Sequence, residues 1–275
     1  MILEKTVKLL EHIYKYQKII PPKVSKVVIG LGYTGVELLA YAYDPFLGLA
    51  STLPSILQSI DCTKIEFAGS LTNKSFRELM NWSYQGFSLE KVIGIATLNA
   101  ASQHILAIKN PYKEIREDLI DFLKINKQTR ILFIGFMKPM IKSLLNMTRL
   151  IRIIEHNPLV APSYHDIPIL KDINELKESE LETDILFCSG TTLINDTLET
   201  ILSVFKNNAK TIIVVGPSVS FLPDILFDEG VNIVGGLNII DSESTIKILQ
   251  EGGGTKIFKK YGKKYNFTRN AIFKK

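Results

Sequence analysis

The chain has 275 residues, 46% of them hydrophobic and 22% charged, with a formal charge of +5. That balance is ordinary for a globular protein and excludes a disordered or fibrous one. No apolar run reaches the roughly 18 to 20 residues needed to cross a bilayer, so no membrane partner is expected. An acid at Glu4 with no apolar run behind it argues against a secretory leader and makes the cytoplasm the expected location.

Taken in chain order, the first half predicts a helix over Glu4 to Tyr16, strands over Val24 to Leu31 and Val36 to Tyr43, and a strand-like stretch near Ile65 to Ala68. Helices follow at Ser75 to Trp82 and Ser88 to Ile105. Strands clustered first and helices later suggest an α+β unit with an antiparallel sheet. Asn110-Pro111 marks a boundary, because proline restricts the residue before it and breaks a helix.

Beyond it, Tyr112 to Ile125 reads as an amphipathic helix, and a strict alternation begins. Apolar runs at 131–134, 149–154, 184–188, 211–215 and 231–234 end in Gly135, Glu155, Ser189-Gly190, Gly216-Pro217 and Gly235-Gly236. Helical patterns at 139–147, 193–205, 222–228 and 242–249 separate most of them. Such runs suit strands buried on both faces, and this spacing implies right-handed crossovers in a parallel sheet. The expected fold class is therefore α/β, with a parallel sheet carrying helices on both faces behind a smaller α+β unit. The expected domains are residues 1–108 and 109–255, followed by a basic tail over 256–275. The tail holds eight basic residues and no acid, which leaves residues 1–255 with a charge of −3. A nucleic-acid surface spreads its charge over one face, so nucleic acid is not an expected partner.

In an open parallel sheet, ligands bind beyond the carboxyl ends of the strands. The candidate ligand residues there are Gly135, Phe136, Ser189, Gly190, Thr191, Thr192, Asn195, Gly216, Pro217 and Ser218. Glycine lets backbone amides approach a ligand, and the hydroxyl-rich run from Ser189 to Asp196 suits either an anion or plain helix capping. Glu155, twenty residues past Gly135, stands where an acid would bind ribose hydroxyls, but Gly135-Phe-Met-Lys-Pro139 lacks the dinucleotide glycine pattern. Glu155 and His156 are the candidate metal ligands, with Cys188 or His165 as companions. The four histidines otherwise show no metal-ligand spacing, and the two cysteines make no disulfide framework. Gly30-Leu-Gly32-Tyr-Thr-Gly35 matches G-x-G-x-x-G, yet no acid follows at the required distance, and a tight turn between antiparallel strands explains it better. Glu251-Gly-Gly-Gly254 is read as a flexible link or as a loop folding back over the strand ends.

Cys188-Ser-Gly-Thr-Thr-Leu-Ile-Asn-Asp-Thr-Leu-Glu199, Val214-Val-Gly-Pro-Ser218, Phe227-Asp-Glu-Gly-Val-Asn-Ile-Val-Gly-Gly236 and Glu251-Gly-Gly-Gly254 resemble an uncharacterised family named for heavy-metal chelation. In the first half, Val27-Val-Ile-Gly-Leu-Gly-Tyr-Thr34, Gly48-Leu-Ala-Ser-Thr52 and Ile93-Gly-Ile-Ala-Thr-Leu-Asn-Ala100 resemble its N-terminal domain. The resemblance implies an enolase N-terminal-like domain, a Rossmann-like domain and a ligand cleft between them. It also implies a link to a divalent transition metal or a metal chelate, and it adds Thr34, Thr52 and Asn99 as residues facing the cleft. It departs at Asp196, where the family pattern has glycine; an acid there adds a ligand or extends the helix cap. The expected activity is thus binding or processing of a transition metal ion or small anionic metal chelate. The alternative is an enzyme using a nucleotide-like cofactor such as S-adenosylmethionine, for which no nucleophile–base pair stands out. A homo-oligomer remains compatible with either.

Overall fold

A computed structural model describes residues 1–58 and 62–269. The first lobe runs α1 (Ile2–Tyr16), β1 (Lys23–Ile29), β2 (Tyr33–Leu39), β3 (Phe46–Ser51), α2 (Pro54–Leu57), α3 (Phe76–Asn81) and α4 (Leu89–Ile108). The second begins with β4 (Lys113–Glu114), α5 (Leu119–Phe122), β5 (Ile131–Ile134), α6 (Lys138–Leu144), β6 (Ile151–Ile154) and the hairpin β7 (Ser163–Tyr164) and β8 (Ile167–Leu170). It continues through α7 (Glu178–Leu181), β9 (Thr183–Ser189), α8 (Leu198–Phe205), β10 (Ala209–Val215) and α9 (Asp224–Asp228). β11 (Ile233–Ile239), α10 (Ser242–Gln250), α11 (Thr255–Phe258) and β12 (Gly262–Thr268) complete it.

The large sheet has the order β4-β12-β11-β10-β9-β5-β6-β8-β7. Its six central strands, β11 to β8, are mutually parallel, whereas β12, β4 and β7 pair antiparallel at its margins. All four residues of β5 are buried, as a strand covered on both faces requires. Ile131 and Phe133 point into one core with α6, and Leu132 and Ile134 point into the other with α8. The expected α/β class is the one observed.

The small sheet, β1-β2-β3, is antiparallel. Val36, Leu38 and Ala50 on one face join α4 in the main core. Leu47 and Leu49 on the other pack against Ile246 and Leu249 of α10, which belongs to the second lobe. Sixteen of the twenty residues of α4 are buried, the mark of a helix apolar all round. Ser88 starts it by accepting the Lys91 amide at 3.2 Å. The Gly30–Gly35 motif is the expected hairpin turn, with Ile29 opposite Thr34 and the Gly30 amide bonded to the Tyr33 carbonyl at 3.1 Å.

Four expectations need correction. Residues 65–68 form successive turns, Ala68 and Ser70 bonding back to the Ile65 and Phe67 carbonyls, and the third strand of the small sheet is β3. The pattern Tyr112, Ile115, Leu119 is buried as predicted but not as one helix: β4 pairs with β12, and Asp118 caps the short α5. Gly235 and Gly236 lie within β11 rather than at its end, since β12 pairs with it as far as Ile239, and glycine at 236 leaves room for the Tyr265 hydroxyl, 2.3 Å from where a Cβ would sit. The basic segment is not a solvated tail as far as Thr268, since β12 carries Tyr265 and Phe267 into the core beside β11. Residues 270–275 of that expected tail lie outside the described residues.

Candidate functional site

The strand order reverses at β5. The chain passes from β5 to β6 on one side, then crosses to β9 on the other. At such a reversal the loops leaving the two strands diverge, and a crevice opens beyond their carboxyl ends. Three loops meet here over glycines. Gly135 has φ 104°, and a Cβ on it would lie 2.8 Å from Ser189 Cβ; Gly216 has φ 132°, and a Cβ there would lie 3.6 Å from the Gly190 nitrogen. Both are left-handed conformations that side chains other than glycine rarely adopt.

The side chains after β9 are engaged with one another. Ser189 Oγ accepts the Thr191 amide at 3.3 Å and its hydroxyl at 2.8 Å. The Thr192 hydroxyl donates to the Ser189 carbonyl at 2.7 Å, and that of Thr197 donates to Asn195 Oδ1 at 2.7 Å. What this loop presents to a ligand is therefore chiefly backbone.

Glu155 fastens the loops after β5 and β6 together. Its two carboxylate oxygens accept the amides of Phe136 and Asn157, each at 2.9 Å. Phe136 is half-buried with its ring edge-on to Tyr164 at 5.2 Å between centroids, and His156 is exposed. The proposed companions fall elsewhere. Cys188 points into the core, where burial pushes its thiol well above the usual range. His165 occupies the two-residue turn between β7 and β8, where it and Asp166 both have positive φ, as that kind of hairpin demands. Among the described residues, no three His, Cys, Asp or Glu side chains are grouped so as to hold a metal ion.

The first lobe docks on the loop after β10. Thr34, Thr52 and Asn99 are buried in this seam rather than lining an open cleft. The Thr34 and Thr52 hydroxyls bond each other at 2.9 Å, and Ser218 Oγ accepts the Ser51 amide at 3.0 Å. Asn99 Nδ2 donates to the carbonyls of Leu49 at 2.7 Å and Pro217 at 3.2 Å, while its Oδ1 is buried without a partner.

One residue escaped sequence reasoning. Lys91, near the start of α4, is buried, and its ammonium pairs with Asp196 on the loop after β9. Asp196 has φ 60°, so the departure at this position is an aspartate in a left-handed conformation, which Asp and Asn tolerate better than most. The sequence offered little signal, since Glu90-Lys91 stands just ahead of the apolar run that begins at Val92. Two recesses lie away from the rim glycines. One of about 290 Å³ is lined by the ion pair Lys5–Glu229 with Glu199 and Lys206, and one of about 170 Å³ meets the rim loop at Thr192, Leu193 and Asp196.

The fold and its rim define a class: a two-lobed α/β protein whose mostly parallel sheet reverses its strand order at β5. The chain belongs to the family described as "Putative heavy-metal chelation", whose two component sequence profiles match residues 16–102 and 118–268. It is 31% identical over 194 residues to a protein of Methanocaldococcus jannaschii described as uncharacterized, covering 70% of this chain and 71% of that one. A Pyrococcus horikoshii protein of unknown function from the DUF364 family superposes with a TM-score of 0.76 at 23% identity, covering 98% of this chain and 100% of the other. A Desulfitobacterium hafniense member does so with a TM-score of 0.71 at 18% identity, covering 97% and 100%. These two likenesses establish the shared fold. Among the described residues, no helix is long and apolar enough to cross a membrane.

Proposed function

We propose that the protein binds a transition metal carried in a small anionic chelate, at the crevice between the loops after β5, β6, β9 and β10, beside the first lobe. In this reading residues 1–108 form an enolase N-terminal-like lobe and the remainder a Rossmann-like one. The observation that carries it is the glycine meeting of three loops at the strand-order reversal, Gly135 on Ser189 and Gly216 on Gly190. Close approach of a backbone through glycine suits anionic groups, although the Gly135 and Gly216 amides themselves are bonded to the Ile154 and Gly235 carbonyls. The family description supplies the metal.

A bare ion does not fit the donor set. Transition metals take imidazole and thiolate ligands in defined geometry. Here Glu155 spends both oxygens on backbone amides, Cys188 is in the core, and His156 stands exposed with no companion among the described residues. Glu155 then acts as a clamp that fixes the crevice's edge, and His156 contacts the rim of the bound chelate. A second reading, a nucleotide-like cofactor such as S-adenosylmethionine, is favoured by one observation: an acid ends β6, next to the reversal.

Calorimetric titration with Co²⁺, Ni²⁺, Cu²⁺ and Zn²⁺, each alone and as its citrate complex, tests the proposal. Saturable binding of a complex tighter than about 100 µM, weakened at least tenfold by Gly190→Ala, is the expected result. Binding of free ions that Glu155→Gln and His156→Ala abolish would replace the chelate with a direct ion site. Thermal stabilisation by S-adenosylmethionine, with no response to any metal form, would favour the second reading.

A further inference from the structure

Asn99 carries more information than its burial. It is fully buried on α4, and its Nδ2 has two carbonyl acceptors, Leu49 on β3 and Pro217 in the turn after β10. A carbonyl accepts and never donates. The amide therefore has one orientation, with its NH₂ toward these two oxygens and its Oδ1 turned the other way. That oxygen is buried and without a partner.

An amide oxygen buried in this state costs about 1–3 kcal/mol, and native proteins keep few of them. Asparagine is also a poor residue for the middle of a helix. Its NH₂ ties α4 to β3 and to the turn after β10, whereas its Oδ1 serves no bond within the chain. Its neighbourhood is the rim: the turn that Asn99 reaches begins at Gly216, beside Gly190, and Ser218 in the same turn is tied to Ser51 of the first lobe.

Resting on the reading of this rim as a ligand site, we infer that Asn99 Oδ1 recognises a hydrogen-bond-donating group of an organic ligand. That group is an amide or amine N–H, or a hydroxyl. A carboxylate or phosphate oxygen placed there would set lone pairs against lone pairs. The seam thus complements the glycine loops: the loops give the anionic part of a ligand close approach to the backbone, and Asn99 offers an acceptor to its N–H or O–H part. Because the seam is closed over Asn99, the group is admitted when the 216–220 turn shifts.

Acetamide and acetate are nearly isosteric and differ in the ability to donate, so they make a direct test. The full chain, labelled with ¹⁵N-asparagine, is titrated with each while the Asn99 side-chain resonances are followed. The inference expects saturable, acetamide-specific shifts at Asn99 and at least a tenfold weaker apparent affinity for Asn99→Ala, read by titration calorimetry. Asn99→Ser serves where the alanine variant fails to fold. Equal or stronger shifts with acetate, or no acetamide response, overturn the inference. A crystal soak in which Oδ1 keeps a water that acetamide leaves in place is the same refutation. The chelate titrations report on the glycine loops independently, so their success alongside a failed acetamide response refutes the role of Asn99 alone. Their failure alongside a positive one refutes only the chelate.

Discussion

Replacing Asp196 by asparagine removes a charge while keeping the shape and the tolerance for positive φ. Lys91 is 1% exposed and Asp196 54%, so the two partners stand in different media. Breaking a fully buried pair costs about 3–5 kcal/mol, because the remaining charge is left without water or partner. The solvent around Asp196 already screens part of the attraction, as at surface pairs, which brings the expected loss for Asp196→Asn to about 2 kcal/mol. Removing the other partner is cheaper. Lys91→Met keeps an aliphatic stem of similar length and leaves only an aspartate that water can solvate, so about 1 kcal/mol or less is expected. The double variant should then resemble Lys91→Met, with a coupling of about 2 kcal/mol in magnitude in the cycle. Asp196→Gly should lose less than Asp196→Ala by about 1 kcal/mol, the left-handed cost that alanine retains. Urea unfolding followed through Trp82 fluorescence measures all five variants. An Asp196→Asn loss below about 0.5 kcal/mol, the ordinary surface range, or a larger loss for Lys91→Met, would refute the argument.

Burial among Tyr14, Tyr43 and Phe46 holds His104 below the usual imidazole range, with Nδ1 2.9 Å from the Tyr14 hydroxyl. The unfolded chain takes up that proton near 6.5, so the contribution is fully present above that pH and is lost below it, by at most about 1.4 kcal/mol per pH unit. Stability curves from pH 7.5 to 5 should be steeper for the wild type than for His104→Leu, and parallel curves would refute the assignment. Cys62 is exposed and Cys188 buried with its thiol pushed up. Ellman's reagent should therefore titrate one thiol in native protein and two in urea, and rapid native modification of both would contradict the burial. Gly236→Ala would drive a Cβ into the Tyr265 hydroxyl, which bonds Gln103 and the Ser220 carbonyl. Overpacking of this kind costs about 1–3 kcal/mol, measurable by denaturant unfolding, and a neutral substitution would show that β12 is free to shift.

Much of the large sheet was legible because β5, β6, β9 and β10 are buried on both faces, and a run such as Ile-Leu-Phe-Ile has few other uses. The turn at Gly30–Gly35 was legible too, since the missing downstream acid is a local fact. β3 and β12 were not. Gly48 interrupts the apolar pattern of β3, while the lysines of β12 imitate a solvated tail, although Tyr265 and Phe267 alternate as a strand should. Glycine signals failed in the same way. Gly216 and Gly235 look alike in sequence, but one turns a loop and the other makes room for neighbours on either side, Asn266 of β12 and Val215 of β10. The clamp made by Glu155 was invisible for a related reason: an acid ending a strand is placed equally well for a ribose and for the amide of the adjacent loop.

The seam bears on how a ligand would enter. Lobes joined by small polar interfaces move by default, but here one apolar core runs from Val36 and Val92 in the first lobe to Leu186 and Phe221 in the second. Polar ties are spread along the same boundary, from the Ile2 amide on Glu199 to Gln103 on the Ser220 carbonyl and the Thr255 hydroxyl on Tyr33. Parting the lobes as rigid bodies would expose that core and break these bonds together. Access therefore belongs to local motion, either of the 216–220 turn or at the β5–β6 side, where Glu155 rather than the first lobe sets the edge. A ligand that reaches Asn99 has to pass the turn, whereas one bound at Gly135 does not. On the proposed reading, the two halves of the crevice would differ in how quickly they fill as well as in chemistry.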